Sequence, residues 1–286
     1  MAGYPLLICR ILSKKVITVP YKEYFGMKQL PFSRSQAIEL LFETKEQSEA
    51  LARMKYIAET KQFAILTGDP GTGKSTTIRK LAGQLSDKRY TVIYISDAKL
   101  SPRNFYTEAL NQLGCDPKFY RGDLRRQLHK AINHLMDTNG SYPVIITDEA
   151  HLFDREMYEE LRFLLNFEMD SSAPMSLILS GQSELKRLLR MQIYEPIAQR
   201  INLRCNIPAF NQKQTNRYIY HHTTSAGATG PIFTDSAADT IHDYTTGIAR
   251  KINNVCSIAL LQACKLNQKL IDEGLVSSII NTEFAI

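Results

Sequence analysis

The chain has 286 residues, of which 44% are hydrophobic and 22% charged, and this composition supports one large or two modest globular domains. Lys and Arg outnumber Asp and Glu by 35 to 29, so the net charge of +6 is compatible with a polyanionic partner but does not require one. The five cysteines are scattered without a C-x-x-C pair, which suits reduced thiols in the cytoplasm and argues against a zinc site. No stretch approaches about 18 apolar residues, so we expect no transmembrane helix and no membrane partner.

Residues 1–20 are predicted to form a variable N-terminal arm. Their apolar run precedes Arg10, Lys14 and Lys15, whereas a secretory signal has its basic residues first and a longer apolar core. The next segment, residues 21–32, carries four aromatic residues. We expect this segment to pack on the domain that follows.

The stretch around which the chain is organised joins a short apolar strand, residues 63–67, to a glycine-rich loop and a helix. Residues 45–60 precede this strand with apolar positions at helical spacing. In the loop, Gly68 is followed by four residues and then by Gly73-Lys74-Ser75. This spacing, between a strand and a helix, is typical of a phosphate-binding P-loop.

The chemistry of a P-loop assigns a role to each part of this stretch. Glycines let the backbone curl so that its N–H groups point at phosphate oxygens, and the start of the helix adds its positive dipole end. Lys74 is expected to reach the β- and γ-phosphates of ATP, and Ser75 to offer its hydroxyl to Mg²⁺. An adenine-side contact is an alternative role for residues 21–32. The predicted nucleotide-binding residues are Gly68, Asp69, Pro70, Gly71, Thr72, Gly73, Lys74, Ser75 and Thr76.

Strands and helices alternate up to residue 207, which predicts an α/β fold with a doubly wound sheet of five parallel strands. The further predicted strands are residues 90–95, 142–147, 175–180 and 201–207. Three helices are predicted between these strands. One begins at Ser101-Pro102, and the other two cover residues 123–136 and 156–167. Only helices are predicted from Pro208 onward, over residues 212–226, 234–246 and 248–269, with Thr234 capping the second. We therefore expect a P-loop α/β domain over residues 21–207 and a small all-helical domain over residues 208–286.

Two carboxylates follow the third predicted strand. Asp148 is expected to hold the Mg²⁺ shell, and Glu149 to orient and polarise a water molecule; a solvated turn is the alternative for the pair. Together with the next two residues they spell DEAH, a helicase box. Helicases of that class need two RecA-like domains, and one P-loop in 286 residues cannot supply them.

Further polar residues are candidates for sensing the nucleotide. Gln182 is a candidate γ-phosphate sensor, with Ser180 as its competitor and helix capping as the alternative role. Arg200, or else Arg204, is a candidate arginine that completes a neighbouring subunit's site, with surface salt bridging as the alternative. Arg250, in a Gly-x-x-Arg sequence at a helix start, is a candidate second sensor that folds onto the phosphates.

The motifs resemble, in type and order, those of an AAA+ ATPase with a helical lid. They are GDPGTGKS, VIITDEAH, the polar sensor, the candidate arginine and the Gly-x-x-Arg sequence. The segments YFGMKQLPF, LILSGQSEL and TTGIARKINN resemble, more narrowly, the ExeA/TniB branch, which is similar to the transposition regulators TnsC, IstB and MuB. The resemblance covers about residues 21–275.

The resemblance implies a cytoplasmic, ATP-dependent and sequence-tolerant DNA-binding regulator of transposition. Such proteins assemble with themselves on double-stranded DNA as rings or helical filaments and recruit a transposase, in some cases with a target-selection protein. ATP hydrolysis then dismantles the assembly. DNA is contacted, by this resemblance, at the positions of Lys99, Arg103, Lys118 and Arg121.

Charge favours the same region independently, because residues 99–130 carry seven basic and three acidic side chains. Such a surface contacts phosphates without reading sequence, although a solvated helix face is the alternative. Two further functions stay open: a secretion assembly ATPase like ExeA, and a nucleotide-switch scaffold with little turnover.

Overall fold

The computed structural model of the protein describes residues 20–33, 36–85, 89–97, 100–165 and 174–284. These residues form a five-stranded sheet with helices on both faces, followed by a group of helices. The strands, β1 to β5 in chain order, are Phe63–Thr67, Tyr90–Ile95, Tyr142–Thr147, Ser176–Gly181 and Leu203–Asn206.

The helices of the described residues fall between the strands and after the last of them. Those of residues 20–206, α1 to α8, are Pro20–Tyr24, Lys45–Thr60, Lys74–Gln84, Pro102–Gln112, Arg121–Asn139, Arg155–Leu164, Glu184–Leu188 and Glu195–Ala198. Those that follow, α9 to α12, are Gln212–Ser225, Asp235–Thr245, Ala249–Lys265 and Glu273–Glu283.

The sheet runs in the order β2-β3-β4-β1-β5, and every pairing is parallel. The predicted fold class, an α/β P-loop core with a parallel five-stranded sheet and a helical region after it, is therefore confirmed. Because β3, β4 and β1 are neighbours in a parallel sheet, the residues that follow them meet at one edge. This order brings the P-loop and the two carboxylates together.

The two faces of the sheet bury separate cores. Ile145 and Ile146 are adjacent on β3 and point to opposite faces, as alternating side chains of a strand must. Ile145 packs with Phe105 of α4 and other residues of α4–α6, and Ile146 packs with Met54 of α2 and Leu81 of α3. Burial on both faces explains why these strands are continuous apolar runs.

Polar caps begin two helices where the sequence predicts them. The Ser101 hydroxyl accepts a hydrogen bond from the Asn104 backbone N–H at 3.3 Å, with Pro102 in the first turn of α4. The Thr234 hydroxyl accepts one from the Ala237 N–H at 3.1 Å and begins α10. The predicted caps are thus confirmed.

The last helix, α12, is absent from the prediction. The helix predicted over residues 248–269 ends at Lys265. Asp272 then accepts a hydrogen bond from the Leu275 N–H at 2.9 Å and starts a new helix. Its apolar pattern is short, and a glycine stands in its first turn, so periodicity alone does not mark it.

The aromatic segment, residues 21–32, packs on the C-terminal helices rather than on the sheet. Tyr21, Phe25 and Phe32 are buried in one cluster with Ile241 of α10 and Ile252 of α11. The expectation that this segment leans on the α/β domain was wrong, because its aromatic rings form part of the core between the C-terminal helices. The predicted arm, residues 1–20, lies outside the described residues except for Pro20.

Candidate nucleotide-binding site

The loop between β1 and α3 has the curled backbone that a phosphate cradle needs. Gly71 and Gly73 have φ of +84° and +107°, which side chains other than glycine rarely adopt. Gly73 is the N-cap of α3 and has no side chain with which to satisfy the first amides of the helix. Those amides, with the dipole of α3, are available to an anion.

Lys74 begins α3 and lies at the floor of the loop with 8% of its surface exposed. Its Nζ donates hydrogen bonds to the carbonyls of Gly68 at 2.9 Å and Asp69 at 3.1 Å. An ammonium group has three donors, so one remains for a phosphate oxygen. Burial lowers the pKa of Lys74, and the nearby carboxylate of Glu149 opposes that shift.

Asp148 is surrounded by hydrogen-bond donors. Its Oδ1 accepts from the Ser180 hydroxyl at 2.7 Å and from the Glu149 N–H at 2.9 Å. Its Oδ2 accepts from the Tyr94 hydroxyl at 3.0 Å and from the Ser75 hydroxyl at 3.4 Å. The two predicted metal ligands, Ser75 and Asp148, are thus adjacent, and their hard oxygen donors suit Mg²⁺.

Tyr94 on β2 is a site residue that sequence reasoning missed. Burial and the neighbouring Asp148 raise the pKa of Tyr94, so its phenol stays protonated and donates to the carboxylate. The hydroxyl reaches Asp148 only because β2 and β3 are neighbours in the sheet. No motif on β2 signals this contact.

Glu149 faces the cleft from an unusual backbone conformation. It has φ of +53°, in the left-handed region, which is uncommon for a side chain of this size and recurs at functional sites. Its Oε2 is 3.5 Å from Nδ1 of His151 and makes no hydrogen bond with any residue in the described part of the chain. The same Nδ1 accepts the Gln182 backbone N–H at 3.3 Å, so His151 lies between Glu149 and Gln182.

A cleft of about 460 Å³ lies between the P-loop and the C-terminal helices. Lys74, Ser75, Glu149, Gln182 and Arg250 all line it. The structure therefore brings together most of the residues that the sequence predicts for ATP and Mg²⁺.

The C-terminal helices are held directly against the loop. The Arg250 N–H donates to the Gly71 carbonyl at 3.2 Å. Within the C-terminal region, the Phe210 N–H donates to the Gly247 carbonyl at 2.9 Å. Gly247 has φ of +74°, and a Cβ there would lie 1.9 Å from the Phe210 carbonyl oxygen. The Gly-x-x-Arg sequence thus needs its glycine for this close approach.

Two predicted site residues are not brought to the cleft. Arg200 and Arg204 lie outside the set of described residues that line it. Arg204 is exposed on β5, where its Nη2 donates to the Ala198 carbonyl at 3.0 Å. Ser180, the competitor of Gln182, is fully buried on Asp148 and does not line the cleft among the described residues.

The predicted DNA-contact residues have different environments. Arg103 and Lys118 are exposed, whereas Arg121 is ion-paired with Glu156 and with the buried Glu160. Lys99 lies outside the described residues. Part of the positive charge counted in this region is thus neutralised internally.

An exposed aromatic pair, Phe119 and Tyr120, occupies the turn between α4 and α5 and was missed from sequence. The two side chains are 73% and 71% exposed, with ring centroids 5.2 Å apart. The Arg103 guanidinium lies 5.1 Å from the Phe119 ring centroid. The turn is braced by Gln127, whose side chain bonds the Lys118 N–H at 3.1 Å.

Residues 57–189 match the AAA domain family. The chain contains an AAA domain. It is 31% identical over 260 residues to general secretion pathway protein A of Aeromonas hydrophila, a match that covers 90% of this chain and 47% of that protein. It is 27% identical over 140 residues to ATP-dependent target DNA activator B of Escherichia phage Mu, covering 49% of this chain and 41% of that protein. The resemblance to the ExeA and MuB branch of AAA+ proteins is confirmed.

The AAA domain and the helices after it also have a known overall fold. The structure of Cdc6p from Pyrobaculum aerophilum superposes with a TM-score of 0.65 at 17% identity, covering 84% of this chain and 67% of that one. The chain spans about half the length of the secretion protein and less of the phage protein. Within the described residues no helix has the length and apolar character of a membrane span.

Proposed function

We propose that the protein is a Mg²⁺-dependent ATPase. The observation that carries this proposal is that Lys74, Ser75 and Glu149 line one cleft and that Asp148 lies beside Ser75. The positive-φ glycines leave space for phosphates and expose backbone amides to them, and the oxygen donors suit Mg²⁺. The residues therefore fit both a nucleotide's phosphates and Mg²⁺. When bound, Mg²⁺ would neutralise charge on the phosphates.

The residues of the chain divide the reaction between them. Lys74 and the loop amides would hold the phosphates, and Ser75 and Asp148 would hold the metal ion. Glu149 draws a proton from the attacking water as the bond between the γ-phosphate and ADP breaks. Glu149 suits this role because it lines the cleft together with Lys74 and Ser75. Gln182, which lines the cleft, senses the γ-phosphate, whereas Ser180 is buried and bonded to Asp148.

Two arginines on other elements complete the proposed site. Arg250 reports the nucleotide state through the contact of the helical lid with Gly71. Arg200, with Arg204 as the alternative, acts on the nucleotide of a neighbouring subunit, which is consistent with a position outside the lining of its own cleft. The active form is then an oligomer, a ring or a helical filament.

We further propose that the ATPase assembles on double-stranded DNA in the cytoplasm and prepares it for a transposase. The similarity to the phage target DNA activator supports this role. Arg103 and Lys118 are free of acidic partners among the described residues, and the exposed pair Phe119 and Tyr120 lies beside them. Phosphate contacts of this kind tolerate any sequence and weaken with salt.

A second candidate function is assembly of a secretion apparatus, favoured by the longer and closer match to general secretion pathway protein A. A slow nucleotide switch that recruits a partner is a variant of the first candidate. These three functions predict different effects of DNA on the ATPase rate. Only the transposition ATPase is expected to hydrolyse ATP faster when DNA is added.

The test is electron microscopy of the purified protein with duplex DNA and a non-hydrolysable ATP analogue, together with ATPase assays. Nucleotide-dependent rings or filaments on DNA and DNA-stimulated hydrolysis are expected. Failure to bind duplex DNA at low salt would favour the secretion candidate, and assemblies with unstimulated turnover would favour the switch.

A further inference from the structure

The aromatic pair, Phe119 and Tyr120, is held outward by polar contacts of the turn on which it lies. Gln127 of α5 donates from Nε2 to the Asp116 carbonyl at 2.8 Å, and its Oε1 accepts the Lys118 N–H at 3.1 Å. Tyr120 is itself the N-cap of α5, so the backbone of the pair is fixed on both sides. A ligand that binds the pair does not have to order it first, which lowers the entropic cost of binding.

The exposed area of the pair is unusually large. At 73% and 71%, Phe119 and Tyr120 are the most exposed large hydrophobic side chains of the described residues. Their rings are in edge contact, with centroids 5.2 Å apart and an angle of 88° between the planes, so a ligand meets one continuous apolar surface. Single exposed hydrophobic residues are common, but two adjacent rings held outward indicate a binding surface.

The surroundings of the pair are polar and basic, which fits nucleic acid better than protein. No other large hydrophobic side chain between residues 100 and 151 is exposed, so the pair is far smaller than the apolar centre of a stable protein interface. Arg103 and Lys118 are exposed beside it, and the Arg103 guanidinium lies 5.1 Å from the Phe119 ring centroid. Aromatic rings combined with basic groups are typical of surfaces that stack on bases while contacting phosphates.

We propose that Phe119 and Tyr120 stack on bases of the bound DNA and locally separate two neighbouring base pairs. The inference rests on the proposed DNA-binding function and adds what binding does to the duplex. Base faces in a duplex are covered by their neighbours, so the rings reach them only by insertion at a step, which unstacks that step. Stacking on the rings offsets the lost stacking between bases. Every base has such a face, so the contact tolerates any sequence.

A tryptophan at the pair tests the contact directly. The chain contains no tryptophan, so Phe119→Trp places the sole indole of the protein at the proposed contact. Bases quench indole fluorescence on contact, and a duplex added with a non-hydrolysable ATP analogue is therefore expected to lower the emission of this variant. Tyr220→Trp is the matched control, because Tyr220 is 62% exposed on α9, away from the pair in sequence. Its emission is expected to stay unchanged.

Duplex affinity at several salt concentrations separates stacking from phosphate contacts. The double variant Phe119→Ala/Tyr120→Ala is expected to bind duplex DNA about tenfold more weakly, the value of stacking on one base. Its salt dependence is expected to stay unchanged, because stacking releases no counterions. Lys118→Ala is expected instead to reduce the slope of log affinity against log salt by about one.

Three results would contradict these expectations. Unchanged emission of Phe119→Trp on a duplex that it binds would overturn the inference and leave the pair to a protein partner. A fall in the salt slope of the double variant equal to that of Lys118→Ala would also overturn it, because the pair would then only support phosphate contacts. Absence of duplex binding by the wild type at low salt would overturn the proposed DNA-binding function, and the inference with it.

Discussion

The close approach of Gly247 to Phe210 makes a quantitative prediction for Gly247→Ala. Alanine at φ of +74° is expected to lower the free energy of unfolding by about 1 kcal/mol. This figure already includes the opposing gain from the lower entropy of the unfolded chain. Its Cβ would lie 1.9 Å from the Phe210 carbonyl oxygen, so the backbone must separate and lose the 2.9 Å hydrogen bond between these residues. Overpacking and the lost bond add about 2–4 kcal/mol, for a total of about 3–5 kcal/mol.

Gly26→Ala is the matched control. Gly26 has a similar φ of +67°, but a Cβ there would meet nothing within 4 Å, so only the backbone cost of about 1 kcal/mol applies. Urea unfolding followed by circular dichroism measures both variants, and nucleotide titration checks whether the lid still meets the P-loop. Equal destabilisation by Gly247→Ala and Gly26→Ala would refute the steric argument.

Three further predictions concern buried polar contacts. Arg121→Met removes a partner of Glu160, which is 3% exposed, and is expected to destabilise the protein by about 2–3 kcal/mol in urea unfolding. Tyr94→Phe removes a donor to Asp148 and is expected to raise the Mg²⁺ concentration for half-maximal ATP turnover, because the carboxylate loses an orienting contact. His222 has a folded-state pKa of about 4 against 6.5 normally, so the unfolded chain binds its proton first as pH falls. Stability should then decrease between pH 6.5 and 4, by up to about 3 kcal/mol from this group, and the decrease should be smaller in His222→Phe.

The controls for these predictions are within the same chain. Arg155→Met breaks only an exposed i,i+4 pair with Glu159 and is expected to cost less than about 0.5 kcal/mol. Equal losses of unfolding free energy in Arg155→Met and Arg121→Met would contradict the argument that the burial of Glu160 makes its ion pair important. An unchanged Mg²⁺ requirement in Tyr94→Phe, or parallel pH profiles for wild type and His222→Phe, would contradict the other two arguments.

The sequence was sufficient for those parts of the site that are local. The P-loop, Asp148 and Glu149 follow buried strands directly. Motif spacing and apolar runs therefore predict the strands and place these residues at the carboxyl ends of the strands. The rest depends on contacts between distant segments. Tyr94 meets Asp148 across a strand pairing, and His222 meets Pro31 across 191 positions, and neither contact leaves a local pattern.

Charge counting shows the same limit. The window of residues 99–130 is basic by sequence, but Glu156 and Glu160 lie outside it and neutralise Arg121 in the folded chain. Exposed aromatic side chains such as Phe119 are also invisible to a count of charges. Folding brings α6 against α4, and its Glu156 and Glu160 reach Arg121 of α5, so only the structure separates free basic residues from paired ones.

Glu149→Gln tests the central claim that this cleft binds ATP and activates water through one carboxylate. An amide cannot take the proton but keeps the shape, so ATP affinity should stay within about twofold while turnover falls at least about a hundredfold. Glu159→Gln, on the surface of α6, serves as the control and should leave both unchanged. Turnover of Glu149→Gln at the wild-type rate would contradict the account.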